Sequence, residues 1–210
     1  MLERSKQQVI PHQWAFAGDK KRYCKESVKG FLPEEIRHLM WSLDWPVDPN
    51  TQNMHLNCFY DMPNCGLPSS GKHWGVDIQV AVGTHVLTPE TGKIVELSIN
   101  ERQAMLDIIM IGNSGIYYIF GHLDWKVISD KFAEIRGLVV GEEVRVKKEV
   151  DQREMIGEVG YFGRMSGKFL ETVQEDVKNV YGDTNSHLHI ECWYRWKTPI
   201  NPLLLFKRLS

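Results

Sequence analysis

Two histidines, His187 and His189, stand one residue apart in the stretch SHLHIECWY, and a histidine and a carboxylate, His73 and Asp77, stand four apart in KHWGVDIQV. Imidazole and carboxylate are ligand types that zinc takes, and three protein ligands leave a fourth position for water, as a catalytic site requires. His122, in YIFGHLDW, is a further imidazole. Singly each signal is weak. H-x-H arises by chance in any histidine-containing sheet protein, H-x-x-x-D more easily still, and a lone histidine in a strand is most often a surface or hydrogen-bonded residue. What raises their weight is the kind of element on which each one sits.

Alternate residues of a strand share a face. In HLHIECWYRW, Leu188, Ile190, Cys192, Tyr194 and Trp196 make an apolar set, so His187, His189, Glu191 and Trp193 occupy the opposite face. In HWGVDIQVAVG, Val76, Ile78, Val80 and Val82 fall on one face, with His73, Gly75, Asp77 and Gln79 on the other. That alternation is the pattern of a half-buried strand. By the same rule Trp74 projects away from the histidines and reads as packing. His122 ends a strand in which Ile116, Tyr118 and Phe120 share its parity. The run MLDIIMIGNSGIYYIFGHLDW reads as a hairpin turning at Asn113, Ser114 and Gly115, and GLVVGEEVRVKKE and EMIGEVGYFG add further short strands. Many short strands separated by turn signals predict a mainly β fold, an antiparallel sheet or sandwich-like core. Two stretches differ. FLPEEIRHLMWSLDW places Leu32, Ile36, Leu39, Met40 and Leu43 at helical spacing, predicting one amphipathic helix that stops at Pro46 and Pro49. GKFLETVQEDVKNVYGDTN predicts a short helical insertion over 165–185. The expected organisation is an N-terminal extension over 1–52 carrying one amphipathic helix, then a β-rich domain over 53–210.

Composition removes several classes of function. A net charge of −2, with Lys and Arg scattered, lacks the basic face that nucleic-acid binding needs. No apolar run approaches the ~20 residues of a membrane span. The first residues, MLERSKQQVIPHQW, have no apolar centre or small-residue cleavage site, so no export signal is visible. Cys58 and Cys65 flank FYDMPN and could close a short loop in an oxidising compartment. Four free thiols, Cys24, Cys58, Cys65 and Cys192, fit the sequence equally well. His38 reads as a surface residue and His85 as solvent-facing in a turn. His12 and His55 lie in irregular polar stretches.

The residues of HWGVD, YYIFGHL and HLHIE, in that order, resemble the lysostaphin/LytM-type zinc endopeptidases, which cut peptide cross-links in bacterial peptidoglycan. VGTHVLTPETGKIVEL and INPLLLF resemble the family's flanking segments, and the similarity runs from about residue 70 to the end. The resemblance implies a zinc metallopeptidase domain over 53–210. In it His73, Asp77 and His189 would bind Zn²⁺, His122 and His187 would form the catalytic pair, and peptidoglycan peptide would be the substrate. It implies action in the periplasm or cell wall. The chain departs from the family in residues 1–55, which have no counterpart in the core domain, and in the insertion before His187. Glu191 could orient a ligand from behind, or be a plain surface carboxylate, and Trp193 could line a groove. The competing reading is a catalytically silent domain of the same fold that binds or regulates wall hydrolases. The filled ligand positions favour the enzyme. Oligomeric state is open.

Overall fold

The computed structural model describes residues 30–51, 54–58, 60, 73–100, 105–139, 141–161, 178 and 186–207. Ten strands are named among these: β1 (His55–Cys58), β2 (Gly75–Gln79), β3 (His85–Leu87), β4 (Gly92–Asn100), β5 (Met105–Gly112), β6 (Ile116–Leu123), β7 (Glu143–Val150), β8 (Met155–Glu158), β9 (His187–Tyr194) and β10 (Thr198–Ile200). The main sheet runs β1-β2-β9-β6-β5-β4-β7, with β10 also paired to β9, and β3 and β8 form a separate two-stranded ribbon. Every strand pairing is antiparallel. The mainly β, antiparallel architecture expected from the alternation is the one found.

The period-two pattern decides which face is core. Leu188, Ile190 and Cys192 on β9, Ile116, Tyr118 and Phe120 on β6, and Val76 and Ile78 on β2 are completely buried. The β5–β6 hairpin turns where its residues require it, with Gly115 at φ 80°. A helix absent from the sequence reading, α1 (Trp125–Lys131), follows β6 directly. Asp124 caps it by accepting the N–H of Val127 at 3.1 Å. Trp125, Ile128 and Phe132 of this segment are buried in the core. Just under two turns gave too few periodic positions to be seen in the sequence.

The amphipathic helix expected through FLPEEIRHLMWSLDW is much shorter than its hydrophobic period implied. Only Glu34–Leu39 coil, as a 3₁₀ helix. Met40, at ψ 117°, ends the coil, Trp41 takes φ 55°, and the backbone there turns to the C-terminal tail. The N–H groups of Trp41 and Leu43 donate to the carbonyls of Leu204 and Leu205, each at 3.0 Å. Leu43 also forms a parallel bridge with Phe206. The indole of Trp45 donates to the carbonyl of Lys207 at 2.7 Å. Backbone groups satisfied by a distant partner have no need of helix, so tertiary pairing overrode local periodicity. Leu32, Ile36, Leu43, Trp45 and Val47 belong to the same hydrophobic cluster as the sheet. The expected insertion over 165–185, Cys24 and Cys65, and the side chains of His12, His55 and Cys58 lie outside the described residues. Among those described, no helix is long and apolar enough to cross a membrane.

Candidate metal centre

Strand register brings the first two motifs together. β2 and β9 pair so that Asp77 stands opposite His189, Gly75 opposite Glu191 and Gln79 opposite His187. Directly opposed residues of neighbouring strands have their β-carbons about 4.5–5.5 Å apart, close enough for short side chains to touch. His189 Nδ1 lies 2.7 Å from Asp77 Oδ1, and His73 Nε2 lies 3.1 Å from each of these atoms. Gly75 makes that closeness possible. A β-carbon there would meet the Ile190 carbonyl oxygen and lie 2.8 Å from His189 Cε1. On its other side His189 faces Gly121 of β6, where a β-carbon would meet its ring only at an ordinary contact distance, 3.6 Å from Cδ2.

The three donor atoms suit a cation. They form a triangle with sides of 2.7, 3.1 and 3.1 Å. A single ion at the ~2.0–2.2 Å bond lengths of zinc to nitrogen and oxygen reaches all three. His189 is gripped at its other nitrogen too, with Nε2 3.0 Å from Glu191 Oε1. Glu191 Oε2 in turn accepts the indole N–H of Trp193 at 2.8 Å. A proton committed to Nε2 by Glu191 leaves Nδ1 as the atom that faces Asp77 and His73. Burial by itself would push the Asp77 carboxyl up. Hydrogen bonds with His189 and His73 outweigh burial and hold it well below the usual carboxylate range. Burial would lower His189, yet its bonds to Asp77 and Glu191 raise it to about 10. The local field therefore favours positive charge between the two carboxylates.

The remaining two imidazoles lie alongside. The rings of His122 and His187 are 4.6 Å apart, and those of His122 and His189 are 5.7 Å apart. His187 Nε2 is 3.8 Å from Asp77 Oδ2. Burial pushes His122 well below the ordinary histidine range, with His187 and His189 adding to the effect. All five residues singled out by type and spacing thus meet at one place. Among the described residues, His73, Asp77 and His189 form the group able to hold a metal ion. His38 and His85 are exposed, as expected, though His85 opens β3 rather than lying in a turn. Cys192 is fully buried in the core, and burial pushes its thiol up.

Two tryptophans sit differently from their parity. Trp74 precedes β2 and so escapes its alternation. It is 37% exposed and its ring lies 5.9 Å from that of Trp193, on the histidine side. Trp196 lies in the turn after β9 at φ 57° and is exposed, where the alternation had placed it with the apolar set. Tyr60, Trp74, Trp193, Trp196 and Tyr117 consequently form a run of rings, each 5.0–6.4 Å from the next, that meets the candidate metal centre at Trp193, through Glu191. Asp107 went unnoticed in the sequence. Its one signal was a lone carboxylate inside the apolar strand MLDIIMIG.

No protein-family model matches the chain, and no curated protein matches it. Solved structures do. A zinc-containing peptidase from Vibrio cholerae superposes with a TM-score of 0.51 at 18% identity, over 85% of this chain and 46% of its own. The SpoIIQ–SpoIIIAH pore-forming complex matches with a TM-score of 0.52 at 15% identity, over 80% of this chain and 92% of the other. The catalytic domain of lysostaphin from Staphylococcus simulans matches at 22% identity and a TM-score of 0.48, over 72% of this chain and 90% of its own. At these identities the likeness is one of fold alone, the architecture that this chain shares with the zinc-containing peptidase and with the pore-forming complex.

Proposed function

We propose that the chain is a zinc-dependent endopeptidase that hydrolyses peptide bonds in peptidoglycan cross-links. The observation carrying this reading is the convergence of His73 Nε2, Asp77 Oδ1 and His189 Nδ1 within 3.1 Å of one another, with two more imidazoles beside them. Fold alone does not decide it, since one architecture hosts many functions. A pore-forming complex shares this one.

In this reading His73, Asp77 and His189 hold zinc, which when bound supplies Lewis acidity toward a peptide carbonyl and toward water. The chain's own residues do the rest. Asp77 and Glu191 fix His189 from both of its nitrogens, so the ring does not turn away. His122 and His187 face one another at the edge of the donor triangle. One takes a proton from the attacking water, and the pair then donates hydrogen bonds to the developing oxyanion and a proton to the leaving amine. Peptide is favoured over phosphate as substrate because, among the described residues, the cluster is flanked by the Glu191 carboxylate and the Trp74 and Trp193 rings.

The test is metal analysis of the purified chain combined with digestion of isolated sacculi, with and without chelator, read by product mass. About one zinc per chain and chelator-sensitive release of cleaved cross-links are expected. His189→Ala should lose the metal. His122→Ala should keep it and lose turnover by about 10²–10⁴-fold, the usual worth of a general acid–base group. Equal metal loss in both variants defeats the division of roles, and undiminished cleavage under chelator defeats the zinc mechanism.

A further inference from the structure

His122 ought to face the core. Ile116, Tyr118 and Phe120 share its parity on β6, and all three are completely buried on the side away from the metal centre. What redirects it is a break in register. β5 and β6 pair Leu106 with Leu123 and Ile108 with Phe120, so the single residue Asp107 stands opposite two, Gly121 and His122. Two residues facing one is a β-bulge, a device that re-aims a side chain. His122 takes φ 70° there, in the left-handed region that disfavours a residue bearing a β-carbon. The displaced ring is the one that meets His187.

Such a bulge takes an N–H out of the ladder, and a buried N–H needs an acceptor. The Asp107 carboxylate accepts the backbone N–H of His122. Its Oδ1 also lies 3.0 Å from where a β-carbon on Gly121 would stand, so the carboxylate fills the space above the bulge. The other end of the His122 residue is tied as well, since its carbonyl accepts the N–H of Gly160 at 2.8 Å. His189 and Glu191 are the charged groups facing Asp107.

We propose that Asp107 is a positioning residue: its carboxylate holds the His122 N–H within the β5–β6 bulge and so keeps the His122 imidazole turned toward His187 rather than into the core. The consequence for turnover rests on the peptidase reading above; the consequence for the backbone does not. What the bulge requires is an acceptor oxygen of the right reach. Asparagine supplies one, while leucine has the same shape and none.

The experiment compares Asp107→Asn and Asp107→Leu with the full wild-type chain loaded with zinc. Amide hydrogen exchange at His122 is followed by NMR, zinc content is measured, and kcat and KM are determined on a soluble cross-linked muropeptide. Losing one hydrogen bond is worth about tenfold, so Asp107→Leu should speed exchange at His122 and lower kcat by about that factor. KM and zinc content should hold, and Asp107→Asn should stay within about threefold of wild type on every measure. Should Asp107→Leu fail to fold, Asp107→Ala carries the same comparison. Unchanged exchange at His122 in the acceptor-less variant overturns the proposal, as does an asparagine variant as impaired as the leucine one. A wild-type chain that cleaves no muropeptide removes the peptidase reading, while the exchange measurement still decides the role of Asp107.

Discussion

His189 is bound from three directions, by Asp77 and His73 at one nitrogen and by Glu191 at the other. Glu191 is itself anchored by the indole of Trp193, and its carboxyl is held below the ordinary range by the bond to His189, against the upward push of burial. Partners behind a metal-binding histidine commonly contribute 10–100-fold to metal affinity. Glu191→Ala is therefore expected to weaken zinc binding by about that factor without unfolding the chain, measured by competition with a chelator of known affinity. An affinity equal to wild type would return Glu191 to the status of a surface carboxylate. The H-x-H spacing revealed that two imidazoles share a face. It carried nothing about which nitrogen of His189 points where, because that depends on Glu191 two residues on and on Asp77 across the sheet.

At the scale of elements, alternation was a sound guide wherever a strand stayed regular and failed wherever it stopped. β9 and β2 were legible because their apolar sets are unbroken. Trp74 and Trp196 were misplaced because each lies just beyond the end of a strand. His122 reached the site only through a bulge, which a two-residue period cannot express. The helix over residues 31–45 was overestimated for another reason: its apolar positions do face the core, but its backbone pairs with the chain's other end. Gly75 shows the converse, a motif glycine whose physical reason appears only in the folded sheet. Gly75→Ala forces a β-carbon against the Ile190 carbonyl and the His189 ring. It should destabilise the chain by about 1–3 kcal/mol, as overpacking does, and should reduce bound zinc because β2 can no longer sit at its present distance from β9. Thermal unfolding and metal analysis of the variant check both effects, and full zinc occupancy with an unshifted midpoint would contradict this account of the H-x-G-x-D spacing.

For the whole molecule, the segment before β1 is bound to the tail after β10. Asp44 accepts the Lys207 ammonium at 2.5 Å, and Leu32, Ile36, Leu43, Trp45 and Val47 are buried. Fully burying one large apolar side chain is worth about 1.5–3 kcal/mol. Losing five such side chains approaches the whole ~5–15 kcal/mol stability of a domain. A chain of residues 53–210 alone is thus expected to show non-cooperative unfolding and to bind apolar dyes, whereas a sharp unfolding transition like that of the full chain would show the segment to be dispensable. The central place of β9 has a consequence in time. It pairs with β2 on one side and β6 on the other, and Asp77 precedes His189 by 112 residues. At about 5–20 residues per second, a ribosome releases His73 and Asp77 several seconds or more before the strand that carries His189. In the proposed reading, zinc therefore cannot guide the early stages of folding and closes the site only once β9 is in place.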